Sequence, residues 1–246
     1  MSDQIANRME YIQTVFQKAQ ALAAQQPALD TLLEGLATEP PEFRSVGFEA
    51  ASMEIALLDR RMGSEPANWT MLYAAEKEKQ SVFLAIGLGW AFAKLGLSPD
   101  PWIDSVCPAL RQTVYDGVGY YFGLFRGRRT IRHFEVPEWV GSDALTGFDQ
   151  GVGRRVWYIT KGDPQETNLV VCAFPKERRE SLWRGVGIAC AYVGGYTDVE
   201  KESLFSLSGQ FRQAVIEGMN MAENARFISK SMVLKPQQAH NSAALN

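Results

Sequence analysis

Gly87-Leu88-Gly89-Trp90-Ala91 returns 98 positions later as Gly185-Val186-Gly187-Ile188-Ala189, and Leu95-Gly96 returns as Val193-Gly194. Upstream, Gly47-Phe48-Glu49 is answered at an offset of 100 by Gly147-Phe148-Asp149. Downstream, Leu110-Arg111-Gln112-Thr113-Val114-Tyr115-Asp116-Gly117 is answered at an offset of 101 by Phe211-Arg212-Gln213-Ala214-Val215-Ile216-Glu217-Gly218. Three matches in one order at nearly one offset point to an internal duplication. Each match lies in a segment whose apolar residues recur at helical intervals. The expected fold is therefore all-α: a duplicated multi-helix unit packed as one globular domain with a pseudo-two-fold repeat. A single unit of about 85 residues buries little core alone; two stacked units share one.

Glycines crowd these segments: Gly87, Gly89, Gly117, Gly119, Gly123, Gly151, Gly153, Gly185 and Gly187. Each lowers helix propensity by up to about 1 kcal/mol relative to Ala, so so many need a compensating gain. Close approach of helix backbones is the expected one, with room for a flat ligand the alternative.

Working outward, Ile5, Met9, Ile12, Phe16, Ala19 and Leu22 mark an amphipathic helix closed by Pro27, and Leu29 to Leu36 a short one stopped before Pro40-Pro41. Together they form an N-terminal helical segment, 1–40. Residues 41–228 form the duplicated helical domain. Repeat one, about 43–127, holds helical stretches at 48–62, 72–95 and 102–125, with a turn or first helical position at Pro108. Repeat two, about 143–228, holds stretches at 147–158, 165–174, 177–193 and 199–228, and Asp163-Pro164 suits a helix start. Between the repeats, 126–142 reads as irregular, with a short hairpin over Thr130, Ile131, Phe134 and Val136. Residues 229–246 are polar and aperiodic, the pattern of a disordered tail.

The chain has 246 residues and a formal net charge of −3. It shows no basic domain of the sort that binds nucleic acid. Three cysteines, Cys107, Cys172 and Cys190, form no Cys-x-x-Cys pair, which argues against a zinc or redox motif; Cys172 and Cys190 read as small core residues. The first ten residues lack the apolar run of a secretory signal. The longest apolar run, 82–93, is too short to span a bilayer, which takes roughly 20 residues. A cytoplasmic setting with no membrane span is expected.

The repeat superposes acids: Glu49 with Asp149, and Asp116 with Glu217. Two readings stand open. In the structural one, Glu49 and Asp149 cap helix starts, and Asp116 and Glu217 pair with Arg111 or Arg212 or, better, with a residue of another helix such as Arg154. In the functional one, the carboxylates meet near a pseudo-two-fold axis, raise one another's pKa and serve acid–base chemistry. The candidate catalytic residues are then Asp116, Asp149, Glu217 and Arg154. Candidate ligand-binding residues are Glu49, Gln150, Tyr120, Trp157 and Trp183. No metal site is expected, because a di-iron bundle needs Glu-x-x-His motifs and the two histidines, His133 and His240, stand in none. The sequence leaves any cofactor and the oligomeric state open. Arg126, Arg128, Arg129 and Arg132 form a basic run that suits a solvated loop or, alternatively, a phosphate or acyl-carrier surface.

Several phrases are shared with a known family. They are Gly47-Phe48-Glu49-Ala50-Ala51-Ser52-Met53 with Ala56-Leu57-Leu58-Asp59, Asp116-Gly117-Val118-Gly119-Tyr120, Phe148-Asp149-Gln150-Gly151-Val152-Gly153-Arg154, Phe174-Pro175, and Leu182-Trp183-Arg184-Gly185-Val186-Gly187-Ile188-Ala189. Over roughly 41–228 the chain resembles the bacterial domain-of-unknown-function family numbered 1702, whose members are often encoded near enediyne-type polyketide genes. The resemblance implies an accessory role in specialised metabolism and carries no catalytic residue with it. The leading expectation is binding of an apolar, polyene-like intermediate between helices, with Trp90, Phe92, Tyr120, Tyr121, Trp157, Trp183 and Tyr192 as candidate walls. The alternatives are a carboxylate-cluster enzyme and a non-catalytic scaffold; the partner is a small apolar ligand or an acyl-carrier protein.

Overall fold

A computed structural model describes residues 3–63 and 65–231. Its helices are α1 (Asp3–Ala24), α2 (Leu29–Ala37), α3 (Arg44–Met62), α4 (Ala67–Leu95), α5 (Asp100–Val106), α6 (Arg111–Phe125), α7 (Leu145–Ile159), α8 (Pro164–Ala173), α9 (Arg179–Val193), α10 (Asp198–Ser208) and α11 (Arg212–Ser231). Among the described residues there is no strand, and no helix is long and apolar enough to cross a membrane.

Local chemistry sets the helix ends. The Asp163 carboxylate accepts from the backbone N–H groups of Gln165 and Glu166 at the start of α8, and Thr197 with Glu200 forms a capping box on α10. Gly96 closes α4 in the left-handed region, φ +69°. One stretch expected to be continuous, 199–228, is broken, whereas the break within 102–125 falls at Pro108, the expected turn or first helical position. Pro108 begins a 3-10 turn between α5 and α6, and Gly209, φ +54°, separates α10 from α11. The expected hairpin is instead a π-type helical turn at Arg128–Arg132 that buries Thr130. The expected tail is helical through Ser231; its remainder, 232–246, lies outside the described residues.

Glycine decides how the helices pack. A Cβ on Gly89 would overlap the Val114 carbonyl and one on Gly117 the Ile86 carbonyl, so α4 and α6 touch backbone to backbone. The same reciprocal contact joins α6 to α7 (Gly119 with Phe148, Gly151 with Asp116), α7 to α9 (Gly153 with Leu182, Gly185 with Gln150) and α9 to α11 (Gly187 with Val215, Gly218 with Arg184). Partners advance together along each pair. Gln112 meets Gly147 and Gly123 meets Arg155; Ile86 meets Gly117 and Trp90 meets Tyr120 and Phe125; Arg184 meets Glu217 and Tyr192 meets Arg226. These helices therefore run parallel, and α5, residues 126–144, α8 and α10 return the chain between them.

The row closes on itself. Helix α11 reaches α4, where Gln80 Nε2 donates to Ser229 Oγ at 2.9 Å, and Ser229 Oγ also bonds Ser45 Oγ of α3 at 2.8 Å. Helix α3 crosses α4 where Gly87 faces the Glu49 carbonyl, and Ser52 Oγ donates to the Leu84 carbonyl at 2.6 Å. Helix α1 lies along α3 and ties to the end of α9 through Arg8 and the Val193 carbonyl. Three steps round this ring carry α3 to α7, α4 to α9 and α6 to α11, the pairs whose sequences match at offsets of 98 to 101.

Replacing Gly151 by Ala forces the new methyl group into the Asp116 carbonyl and is expected to cost about 3 kcal/mol, as overpacking does. Gly127→Ala, at a helical glycine with open space around it, is expected to change stability by about +0.5 kcal/mol. Urea denaturation of both variants compares them; equal stabilities would contradict the packing account.

Candidate functional site

The parallel helices leave an interior that is not wholly filled. Into it project Glu49 from α3, Asp116 and Tyr120 from α6, and Gln150 and Arg154 from α7. Each pair on one helix is four residues apart, so both side chains share a face. Both carboxylate oxygens of Asp116 are used: one accepts from Arg154 Nη1, the other from Gln150 Nε2 at 2.8 Å. The second nitrogen of Arg154, Nη2, stands 3.9 Å from Glu49 Oε2, and the guanidinium lies over the Tyr120 ring, 5.0 Å from its centroid. Asp116 is 2% exposed and Glu49 6%.

Charge is distributed unevenly in this cluster. Burial pushes the Glu49 carboxyl up; Arg154 opposes it, Asp116 adds to it, the Trp90 indole N–H facing it lowers it slightly, and the result is a group titrating at about 7. Burial works against the Arg154 charge, but Asp116 and Glu49 outweigh it and hold Arg154 above its ordinary value. The Asp116–Arg154 pair is thus a compensated unit, with Glu49 a separate, easily protonated acid beside it.

Two cavities meet at this cluster. A chamber of about 610 Å³, half open to solvent, lies beneath α1, lined by Glu10, Gln13, Phe16, Trp90, Tyr120, Arg155 and Tyr158 among others. A chamber of about 300 Å³ lies among α4, α9 and α11, lined by Phe83, Ile86, Ile188, Met221, Ala222 and Ile228. Glu49, Arg154 and Tyr192 border both, so the polar cluster is a septum between two rooms. A third cleft, about 420 Å³ against Pro27, Leu29, Met62 and Met71, has no such polar convergence.

Of the sequence-derived candidates, Asp116, Arg154, Glu49, Gln150 and Tyr120 come together. Asp149 does not join them. It is held by Arg178, whose Nε donates to Oδ2 at 2.9 Å while its Nη1 donates to the Phe134 carbonyl at 2.7 Å. Burial raises the Asp149 carboxyl, and the Arg178 contact works against that rise. Glu217 sits at the surface, 3.2 Å from Arg184. Trp157 and Trp183, each 1% exposed, are core and line neither chamber. The capping reading also fails, since α3 and α7 start at Arg44 and Leu145, leaving Glu49 and Asp149 inside them. Arg111 pairs with Asp100 and Asp143, and Arg212 with Glu202. Cys172 is exposed, not core. Sequence reasoning missed Arg155 and Tyr158; Tyr158, four residues past Arg154, carried the signal of a shared face. Among the described residues no three His, Cys, Asp or Glu side chains gather as metal ligands.

Protonated Glu49 is favoured in the folded chain, whereas the unfolded chain ionises it near its ordinary value of 4.5. Between about pH 4.5 and 7 the native state therefore holds more protons, and stability falls as pH rises through that window, by about 3 kcal/mol at most. Glu49→Gln is expected to abolish this loss, so that the variant is more stable than the wild type at about pH 8 and similar at about pH 4.5. Thermal unfolding at the two pH values checks it; an unchanged slope would show that Glu49 is ionised throughout.

No curated protein and no solved structure matches the chain. The sequence matches the family described as "Protein of unknown function (DUF1702)" over residues 1–245, which takes in α1, α2 and nearly all of the C-terminal segment, well beyond the 41–228 expected from the shared phrases. The chain thus belongs to the DUF1702 family.

Proposed function

We propose that the protein binds an elongated, mostly apolar small molecule inside the helix ring, as an accessory protein of bacterial specialised, polyketide-type metabolism in the cytoplasm. The observation that carries this reading is the pair of chambers meeting at a buried Glu49–Arg154–Asp116 septum. Apolar cavities with a few convergent polar groups are the usual form of a ligand site. The ring's walls come from both matched halves of the sequence, which suits a duplicated unit with a pseudo-two-fold relation. The basic residues Arg126, Arg128, Arg129 and Arg132 follow directly on Leu124 and Phe125, which border the larger chamber. An acidic acyl-carrier protein docked on them would stand beside that chamber.

A second reading, an enzyme, is favoured by Glu49 alone: an acid titrating at about 7 is matched to proton transfer at neutral pH. Asp116 would then position Arg154, and Arg154 would stabilise developing negative charge. If so, the compound recovered from Glu49→Gln protein differs in mass or in double-bond position from that recovered from the wild type.

Binding is tested with diphenylhexatriene, a hydrocarbon polyene whose fluorescence rises in apolar surroundings. Saturable binding is expected to the wild type. Ala222→Phe, which fills the smaller chamber, is expected to weaken it about tenfold. Met71→Trp, in the outer cleft, is expected to leave it unchanged, with circular dichroism the same in all three. Loss through Met71→Trp alone, or no saturable binding, would refute the reading.

A further inference from the structure

Three hydrogen-bond donors around the larger chamber are buried without an acceptor at full bonding geometry: the Arg155 Nε–H, the Tyr192 hydroxyl and the Trp90 indole N–H, the last of which faces the Glu49 carboxyl. Buried polar groups are nearly always satisfied, and donors of these types accept nothing in return, Tyr192 excepted. Three of them on one cavity form a set that asks for an acceptor from outside. They come from three helices, α4, α7 and α9, so no local turn explains them.

The charges point the same way. The Arg154 cation is matched by Asp116. Arg155 has no such match: among the described residues no carboxylate lies within ion-pairing distance of it, and its stem is pinned against Gly123. The larger chamber therefore holds, beside its carboxylates Glu10 and Glu49, a cation that contacts Tyr120 but has no carboxylate at ion-pairing distance, together with two neutral donors. The smaller chamber is walled mainly by hydrocarbon, with Phe83, Ile86, Ile188, Met221 and Ile228.

We infer that the ligand is a long-chain carboxylic acid, its carboxylate seated on Arg155, Trp90 and Tyr192 in the larger chamber and its chain directed past Arg154 into the smaller one. This rests on the ring being a ligand-binding cavity, and it adds the head group and the orientation. Charge-assisted bonds to a carboxylate are the stronger kind. Glu49, titrating at about 7 beside the same chamber, adds little repulsion when protonated and can donate a fourth hydrogen bond.

The probes are parinaric acid, a conjugated polyene carboxylic acid, and the alcohol made by reducing its carboxyl group. Both are titrated by their fluorescence at about pH 7, where the free acid is ionised. The acid is expected to bind about tenfold more tightly than the alcohol. Arg155→Met is expected to erase that difference by weakening the acid alone, and Arg155→Lys to restore part of it. Tyr192→Phe is expected to weaken the acid in a wild-type fold. Equal binding of acid and alcohol to the wild type, or equal loss of both in Arg155→Met, overturns the carboxylate assignment while leaving the cavity reading intact. Binding of neither probe overturns both.

Discussion

The architecture depends on backbones touching where side chains are missing. At each crossing from α4 to α11 a glycine of one helix lies against a carbonyl of the next, and the contact is reciprocated one turn away. A glycine in a helix lowers its intrinsic stability by up to about 1 kcal/mol, and the closeness it permits returns dispersion contacts over the whole crossing. Because each crossing is made the same way, the row curves until α11 meets α4. A wider spacing at any one crossing would leave the ring open.

That closeness also places the polar cluster. The residue preceding the first glycine of the contact is Ile86 in α4, Asp116 in α6 and Gln150 in α7, and all three turn into the smaller chamber. With Arg154 one turn beyond Gln150, opposite charges are held together in an apolar interior. There a paired carboxylate is tolerated, and losing one partner typically costs about 3–5 kcal/mol. The Asp116–Arg154 pair is as much a condition of the fold as a candidate site. Glu49 is the member that can change its charge without undoing it.

Much of this was written in the sequence. Proline and glycine marked most helix ends, the clustered glycines implied close helix contacts, and Arg154 was the foreseen partner of Asp116. The grouping of four acids was not legible, for a reason of phase. Sequence matching sets Glu49 on Asp149, yet in the packing Ser52, not Met53, takes the place of Gly153, so Glu49 occupies the position of Gln150. One residue turns a helical side chain by about 100°, enough to send Asp149 to Arg178 while Glu49 faces the cavity. In α9 and α11 the position before the first glycine carries Arg184 and Glu217, which satisfy each other at the surface. The chambers were illegible too, because an unfilled volume is a property of many side chains at once.

The clasp of Ser229 with Ser45 and Gln80 joins the last described helix to two of the earlier ones, across 184 and 149 residues of chain. Such distant pairings are the slow part of folding, since the intervening chain must be ordered first. During synthesis on the ribosome, which proceeds from the N-terminus, the inner faces of α4, α6, α7 and α9 wait for α11 with their apolar lining open to water. For that interval the nascent chain presents a sticky surface, and its safe production depends on how quickly the final helix arrives or on a chaperone that shields the gap.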